Sequence, residues 1–137
     1  MIVVVDASVV VAALIDHGAD GRWAETWLTE QLVAPSLLPV EVANILRKAV
    51  QSGAISEDTG ALAHADLLAL PIEYFPYEVV GPRVWDLRET VTAYDAWYVA
   101  VAELLAVPLA TLDRKLTHAP GPRCKFRVPP KLARSKR

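Results

Sequence analysis

The chain is nearly without cysteine. Its one thiol, Cys124, permits no internal disulfide, which fits a reducing cytoplasm, and with no basic activator placed beside it by a motif it reads as a small core residue. Glycine is sparse too, and the 6 glycines are scattered, so no glycine-rich loop is present to cradle a phosphate. The 3 histidines, His17, His64 and His118, lack the spacing of metal ligands and read as surface residues. No long apolar run exists. The stretch Met1-Ile-Val-Val-Val5 ends at Asp6, too soon for a membrane span or a signal peptide. Repeats, low-complexity blocks and linkers are also missing. Over 137 residues that pattern leaves room for a single domain, 1–137, with a sizeable core; 53% of the residues are hydrophobic, which excludes a disordered chain.

Acidic residues are missing from one part only. All 16 lie at or before Asp113, a span whose only basic residues are Arg22, Arg47, Lys48, Arg83 and Arg88. Everything charged after Asp113 is basic, including Lys131, Arg134, Lys136 and Arg137 in a tail over 131–137. An acidic body followed by a basic end points to a metal-filled acidic site with a segment that attracts phosphate; a solvated terminal tail is the plainer account of the last residues.

What is present alternates strand and helix. Residues 2–5 predict a buried strand, 8–15 a helix, 20–32 a second helix and 33–34 a short strand. Pro39 suits a first helical turn, and that helix runs to Gly53. Ser56 opens a helix to about Leu70; a strand over 72–75 and a helix over 82–90 follow. Thr92 and Asp95 have capping-box spacing ahead of a long buried helix to Ala106. Residues 109–112 predict a strand, Arg114 begins a short helix, and 126–128 a last strand. The four tryptophans, Trp23, Trp27, Trp85 and Trp97, read mostly as core or dimer surface rather than as base-stacking platforms. Strands separated by helices imply an α/β fold with a parallel sheet covered on both faces, where ligands bind at the carboxyl ends of the strands.

Asp6, Glu41, Asp95 and Asp113 each stand where an apolar stretch meets a helix start. Singly, each has an ordinary explanation as a cap or a first-turn acid, a role worth about 0.3–1 kcal/mol. Jointly they can converge at one crevice of a parallel sheet, and four clustered anions repel unless a cation meets them. The sequence positions no lysine or arginine for that, whereas hard divalent metals take oxygen ligands readily. Nearby polar residues are placed to hold ligand water or orient a carboxylate: Ser8, Asn44, Thr92 and Thr111. Ser8 and Thr92 also suit simple capping.

The segments Val-Val-Val-Asp6-Ala-Ser8, Pro39-Val-Glu41-Val-Ala-Asn44, Ala-Tyr-Asp95-Ala-Trp-Tyr-Val-Ala and Ala-Thr-Leu-Asp113-Arg-Lys-Leu resemble, in this order, the PIN-domain nucleases. Length and motif order look most like VapC-type toxins of toxin–antitoxin pairs. The resemblance covers roughly residues 1–128. It implies a three-layer sandwich with a central parallel sheet of about four to five strands flanked by helices. It implies an acidic quartet binding Mg²⁺ or Mn²⁺, with Asp6 and Asp95 as direct ligands and Asp113 and Glu41 as further ligands or water holders. It also implies hydrolysis of RNA of the tRNA or rRNA class to 5′-phosphate and 3′-hydroxyl ends, a cytoplasmic homodimer with no membrane contact, and a VapB-type antitoxin partner. Where some PIN domains carry another acid after the last motif, this chain has Arg114-Lys115. Two other readings stand beside this one. A receiver-like signalling domain would want an acidic pair after the first strand, where Ala7 and Ser8 follow Asp6. A non-catalytic module would use the same acids to dock a basic peptide.

Overall fold

The computed structural model describes residues 1–131. Five strands, β1 (Ile2–Val5), β2 (Gln31–Pro35), β3 (Ile72–Phe75), β4 (Leu109–Ala110) and β5 (Phe126–Arg127), form one sheet in the order β3-β2-β1-β4-β5. Every pairing is parallel, with Val4 opposite Val33 on one side and Leu109 on the other. Seven helices connect them: α1 (Ala7–Ile15), α2 (Ala19–Leu28), α3 (Leu38–Gln51), α4 (Glu57–Ala69), α5 (Tyr77–Asp86), α6 (Ala93–Leu105) and α7 (Arg114–Thr117). The chain steps outward from β1 to β2 to β3, then returns to place β4 on the free side of β1. Right-handed crossovers therefore put α1–α4 on one face of the sheet and α5–α6 on the other. α1 packs on α2, α3 and α4, while α6 lies against β1, β2 and β4.

The β-branched run Val3-Val4-Val5 forms the centre of this sheet because it is covered on both faces: all three residues are fully buried. α6 is the matching helix, apolar around most of its circumference, with Tyr98, Val99, Ala100, Val101 and Ala102 all buried. Gly21 permits the close turn between α1 and α2, since a Cβ there would stand 1.8 Å from the Asp16 carbonyl oxygen. Gly53, at a φ of 79°, ends α3 as its position after the apolar pattern implied.

Several boundaries differ from the sequence expectation. The helix expected over 82–90 is α5, which starts five residues earlier at Tyr77 with Pro76 as its N-cap, so Pro82 lies inside it. Proline there removes one backbone donor, and the loss is confined to a short helix that ends at Asp86. The helix expected over 20–32 stops at Leu28. A turn, with the Glu30 amide donating to the Trp27 carbonyl at 2.9 Å, releases Gln31 into β2, whose Leu32, Val33 and Ala34 are buried. The strand expected over 109–112 ends at Ala110, because the Leu112 amide donates to a side chain instead of continuing the ladder. Val128 likewise falls outside β5. Residues 132–137, and with them most of the expected basic tail, lie outside the described part. Among the described residues no helix is long and apolar enough to cross a membrane.

Candidate active site

The sheet order reverses at β1. Its carboxyl end and that of β4 therefore flank a crevice, the place where open parallel sheets bind ligands. Asp6 follows β1 directly, and Asp113 follows β4 by three residues. Asp6 is the N-cap of α1, its Oδ1 accepting from the Val9 amide at 3.2 Å. The same oxygen accepts from Ser8 Oγ at 2.5 Å, and Oδ2 accepts a short hydrogen bond from Thr111 Oγ1. Both hydroxyls are used twice. Ser8 Oγ accepts from the Leu112 amide at 3.1 Å, and Thr111 Oγ1 from the Asp113 amide at 3.0 Å. Two hydroxyls thus tie the turn after β4 to the carboxylate after β1. Thr111 is itself fully buried, and this pair of bonds satisfies it.

Asp95 links the other carboxylates. It sits in the first turn of α6, whose N-cap Thr92 accepts from the Asp95 amide at 3.2 Å. Burial pushes its carboxyl up, and the charge of Asp113 pushes it further. Asp95 in turn raises both Asp6 and Glu41. Burial is the larger cause for each, and it carries Asp6 from 3.8 to about 6 against the opposing bonds from Ser8, Thr111 and Val9. Glu41, in the first turn of α3, is half-buried and accepts from Tyr98 Oη at 2.6 Å, which partly offsets its burial. Asp113 is exposed and caps α7, with Oδ1 accepting from the Lys115 and Leu116 amides at 3.0 and 3.3 Å.

The ion pairs among the described residues lie elsewhere, at Met1–Glu30 and Arg83–Glu103. Among the described residues no lysine or arginine pairs with any of the four acids. This is an anionic pocket with oxygen donors and no counter-charge from the described residues, the chemistry that suits a hard divalent cation. The spacing is wider than the chemistry: among the described residues no three His, Cys, Asp or Glu side chains stand together as a metal-holding group. The acids meet electrostatically and not as a closed ligand set.

The remaining expected residues scatter. Asn44 is exposed on α3. His17, His64 and His118 are all exposed. Trp23 and Trp27 are partly buried in edge-to-face contact, Trp97 packs against Tyr77 in the same way, and Trp85 is 65% exposed beneath the Arg88 guanidinium. Tyr98 was not among the expected residues, although it stands three positions after Asp95 and is the one polar tip in the buried run of α6. That spacing on one helix face was the available signal.

The PIN-domain family model matches residues 3–122. Ribonuclease VapC1 of Mycobacterium tuberculosis is 44% identical over 133 residues, spanning 91% of this chain and 96% of that protein. Ribonuclease VapC9 of the same organism is 33% identical over 129 residues, spanning 94% and 99%. The solved structure of VapBC2 from Rickettsia felis bound to a promoter DNA fragment superimposes with a TM-score of 0.63 at 14% identity, covering 93% of this chain and 98% of that one. The last of these speaks to fold alone, but the family model and the relatives cover the strand-end and helix-start acids described above; this chain belongs to the PIN-domain family and, within it, to the VapC ribonucleases.

Proposed function

We propose that this VapC ribonuclease is a divalent-metal-dependent endonuclease that acts at the Asp6, Glu41, Asp95 and Asp113 crevice and is held in check by a VapB-type antitoxin. The observation that carries the reading is the anionic crevice itself, raised carboxyls at the sheet's switch point with no cation among the described residues to balance them. Asp6, Asp95 and Asp113 are the residues to hold Mg²⁺ or Mn²⁺, and Glu41 serves as a further ligand or water holder. Such an ion, when bound, supplies Lewis-acid polarisation of the phosphate and a more acidic bound water. The chain's own part is positioning. Ser8 and Thr111 fix the orientation of Asp6 by donating to both its oxygens, and Tyr98 fixes Glu41. In the hydrolysis, a water oxygen bonds to phosphorus as the P–O3′ bond breaks, and the leaving oxygen takes a proton. The ends are 5′-phosphate and 3′-hydroxyl. A homodimer and an RNA target of the tRNA or rRNA class complete the proposal, by analogy with the family.

The test is cleavage of RNA by the purified chain with Mg²⁺, with Mn²⁺ and with excess chelator. Cleavage with either ion and none in chelator is expected, with a loss of at least about 100-fold in Asp95→Asn, since the amide keeps shape but removes the ligand charge. Cleavage that persists unchanged in chelator would remove the metal from the account. Binding of RNA or a basic peptide without any cleavage, in any ion, would favour the docking-module reading.

A further inference from the structure

Beyond the crevice, the edge strand β5 and the segment that leads into it carry a second feature. Cys124 and Phe126 pack against the core, while Arg123 and Lys125 are exposed and Arg127 is half-buried. The strand is held in register by its carbonyls, the Leu109 amide donating to Lys125 at 2.9 Å and the Thr111 amide to Arg127 at 2.9 Å. Arg123, Lys125 and Arg127 line a cleft of about 610 Å³ that runs beside the C-terminal end of α6. Arg127 is level with Ala110, at the crevice end of β4, and Arg123 precedes the strand, its amide donating to Glu103 near the end of α6.

Among the described residues no ion pair joins a carboxylate to these three side chains, although the charge of Arg123 reaches Glu103. Glu103 reaches into the cleft, but its oxygens are taken by Arg83 Nε at 2.7 Å, Arg83 Nη2 at 3.2 Å and the Arg123 backbone amide at 2.8 Å. That bond, with Arg83 Nη2 donating to the Gly121 carbonyl at 2.9 Å and Thr90 Oγ1 to the Pro120 carbonyl at 2.7 Å, fastens the loop that leads into β5. The cations are therefore mounted on anchored backbone rather than on a loose end. Residues 1–113 give a polyanion little to approach, since they are strongly acidic.

We propose that Arg123, Lys125 and Arg127 form a phosphate-binding ladder that holds the substrate RNA's backbone away from the scissile bond. This rests on the ribonuclease reading and adds to it a second contact, sequence-independent and outside the acidic crevice. Its work is affinity and orientation, because contacts to phosphate carry no base information.

The test measures binding of polyuridine to the full chain in excess chelator, over a range of salt, so that cleavage plays no part. Single-stranded RNA releases about 0.7 counterion per neutralised phosphate, so Arg123→Ala, Lys125→Ala, Arg127→Ala together should flatten the slope of log K against log salt by about 2. Arg127 is half-buried, and if its loss disturbs folding, the pair Arg123→Ala, Lys125→Ala should still flatten it by about 1.4. Removal of a distant exposed cation, Arg22→Ala, should change it by less. A slope equal to that of the unmodified chain overturns the ladder and leaves the ribonuclease reading untouched, as does loss of an acidic protein partner with RNA binding intact. No binding of polyuridine by the unmodified chain counts against both.

Discussion

At the scale of residues, Asp6 is the most burdened group in the molecule. It is an N-cap, it accepts from two hydroxyls, and its carboxyl is pushed up to about 6 by burial, with Asp95 adding to the rise. A raised carboxyl binds its proton more tightly in the folded chain than in the unfolded one. Its contribution is therefore fully present below about pH 4 and is lost as pH rises through about 6. In chelator, the unmodified chain should lose up to about 3 kcal/mol of stability from this group between those limits, at 1.36 kcal/mol per unit. Asp6→Asn keeps the cap and lacks the charge, so its stability should be flatter over the same window. Urea unfolding of both proteins from pH 4 to pH 7 measures the difference, and parallel curves would mean that Asp6 keeps an ordinary carboxyl. The positions of these acids could be read from sequence, because each interrupts or borders an apolar run. Their partners were less legible. The Tyr98 to Glu41 bond joins residues 57 apart, and nothing local in either segment announces the other.

At the scale of elements, legibility follows the strength of the local signal. β1, α4 and β3 are close to their expected limits: β1 is a continuous apolar run, α4 has a capping serine, and β3 lies between Pro71 and Pro76. α5 was misplaced because Pro82 was read as a helix start, when the N-cap is Pro76 and the packing of Val80 and Val84 holds the helix through the proline. β4 was overextended because Thr111 and Leu112 look like strand residues, yet the Leu112 amide serves Ser8. α6 ends on a strained residue: Ala106 is its C-cap at a φ of 54°, in the left-handed region that glycine prefers. Relief of that strain should outweigh the extra unfolded-state freedom of glycine. Ala106→Gly is expected to stabilise the chain by about 0.5–1 kcal/mol, read as a higher melting temperature, and a drop would show that the cap tolerates alanine without cost.

At the scale of the whole molecule, the charge is divided. Four of the acids stand at the carboxyl ends of β1 and β4 and at the starts of α3 and α6, and Arg123, Lys125 and Arg127 stand at the β5 edge of the sheet. That division was legible from the order of charges along the chain; its arrangement on opposite flanks of one sheet required the topology. An anionic crevice attracts arginine or lysine as well as metal, and a guanidinium can bind a carboxylate in a fork. If the antitoxin inserts such a side chain against Asp6 or Asp95, inhibition should weaken as Mg²⁺ or Mn²⁺ is raised. Alanine at one or two basic residues of the partner should abolish it. A cleavage assay of the purified pair across a metal titration reads this directly. Inhibition that survives alanine at every basic residue of the partner would mean that access to RNA is blocked some other way.

The double use of Ser8 and Thr111 also has a consequence in time. The hydroxyls join two stretches of chain more than 100 residues apart, 104 positions for Ser8 to Leu112 and 105 for Thr111 to Asp6. The central strand β1 leaves the ribosome about a hundred residues before its second neighbour β4 and half of its site. A growing polypeptide that has not yet reached residue 113 has neither the clamp on Asp6 nor the fourth carboxylate. Topology alone thus delays assembly of the crevice until residue 113 has been made. A polypeptide stopped short of that point holds at most three of the four acids, and they are not yet gathered at one end of a closed sheet.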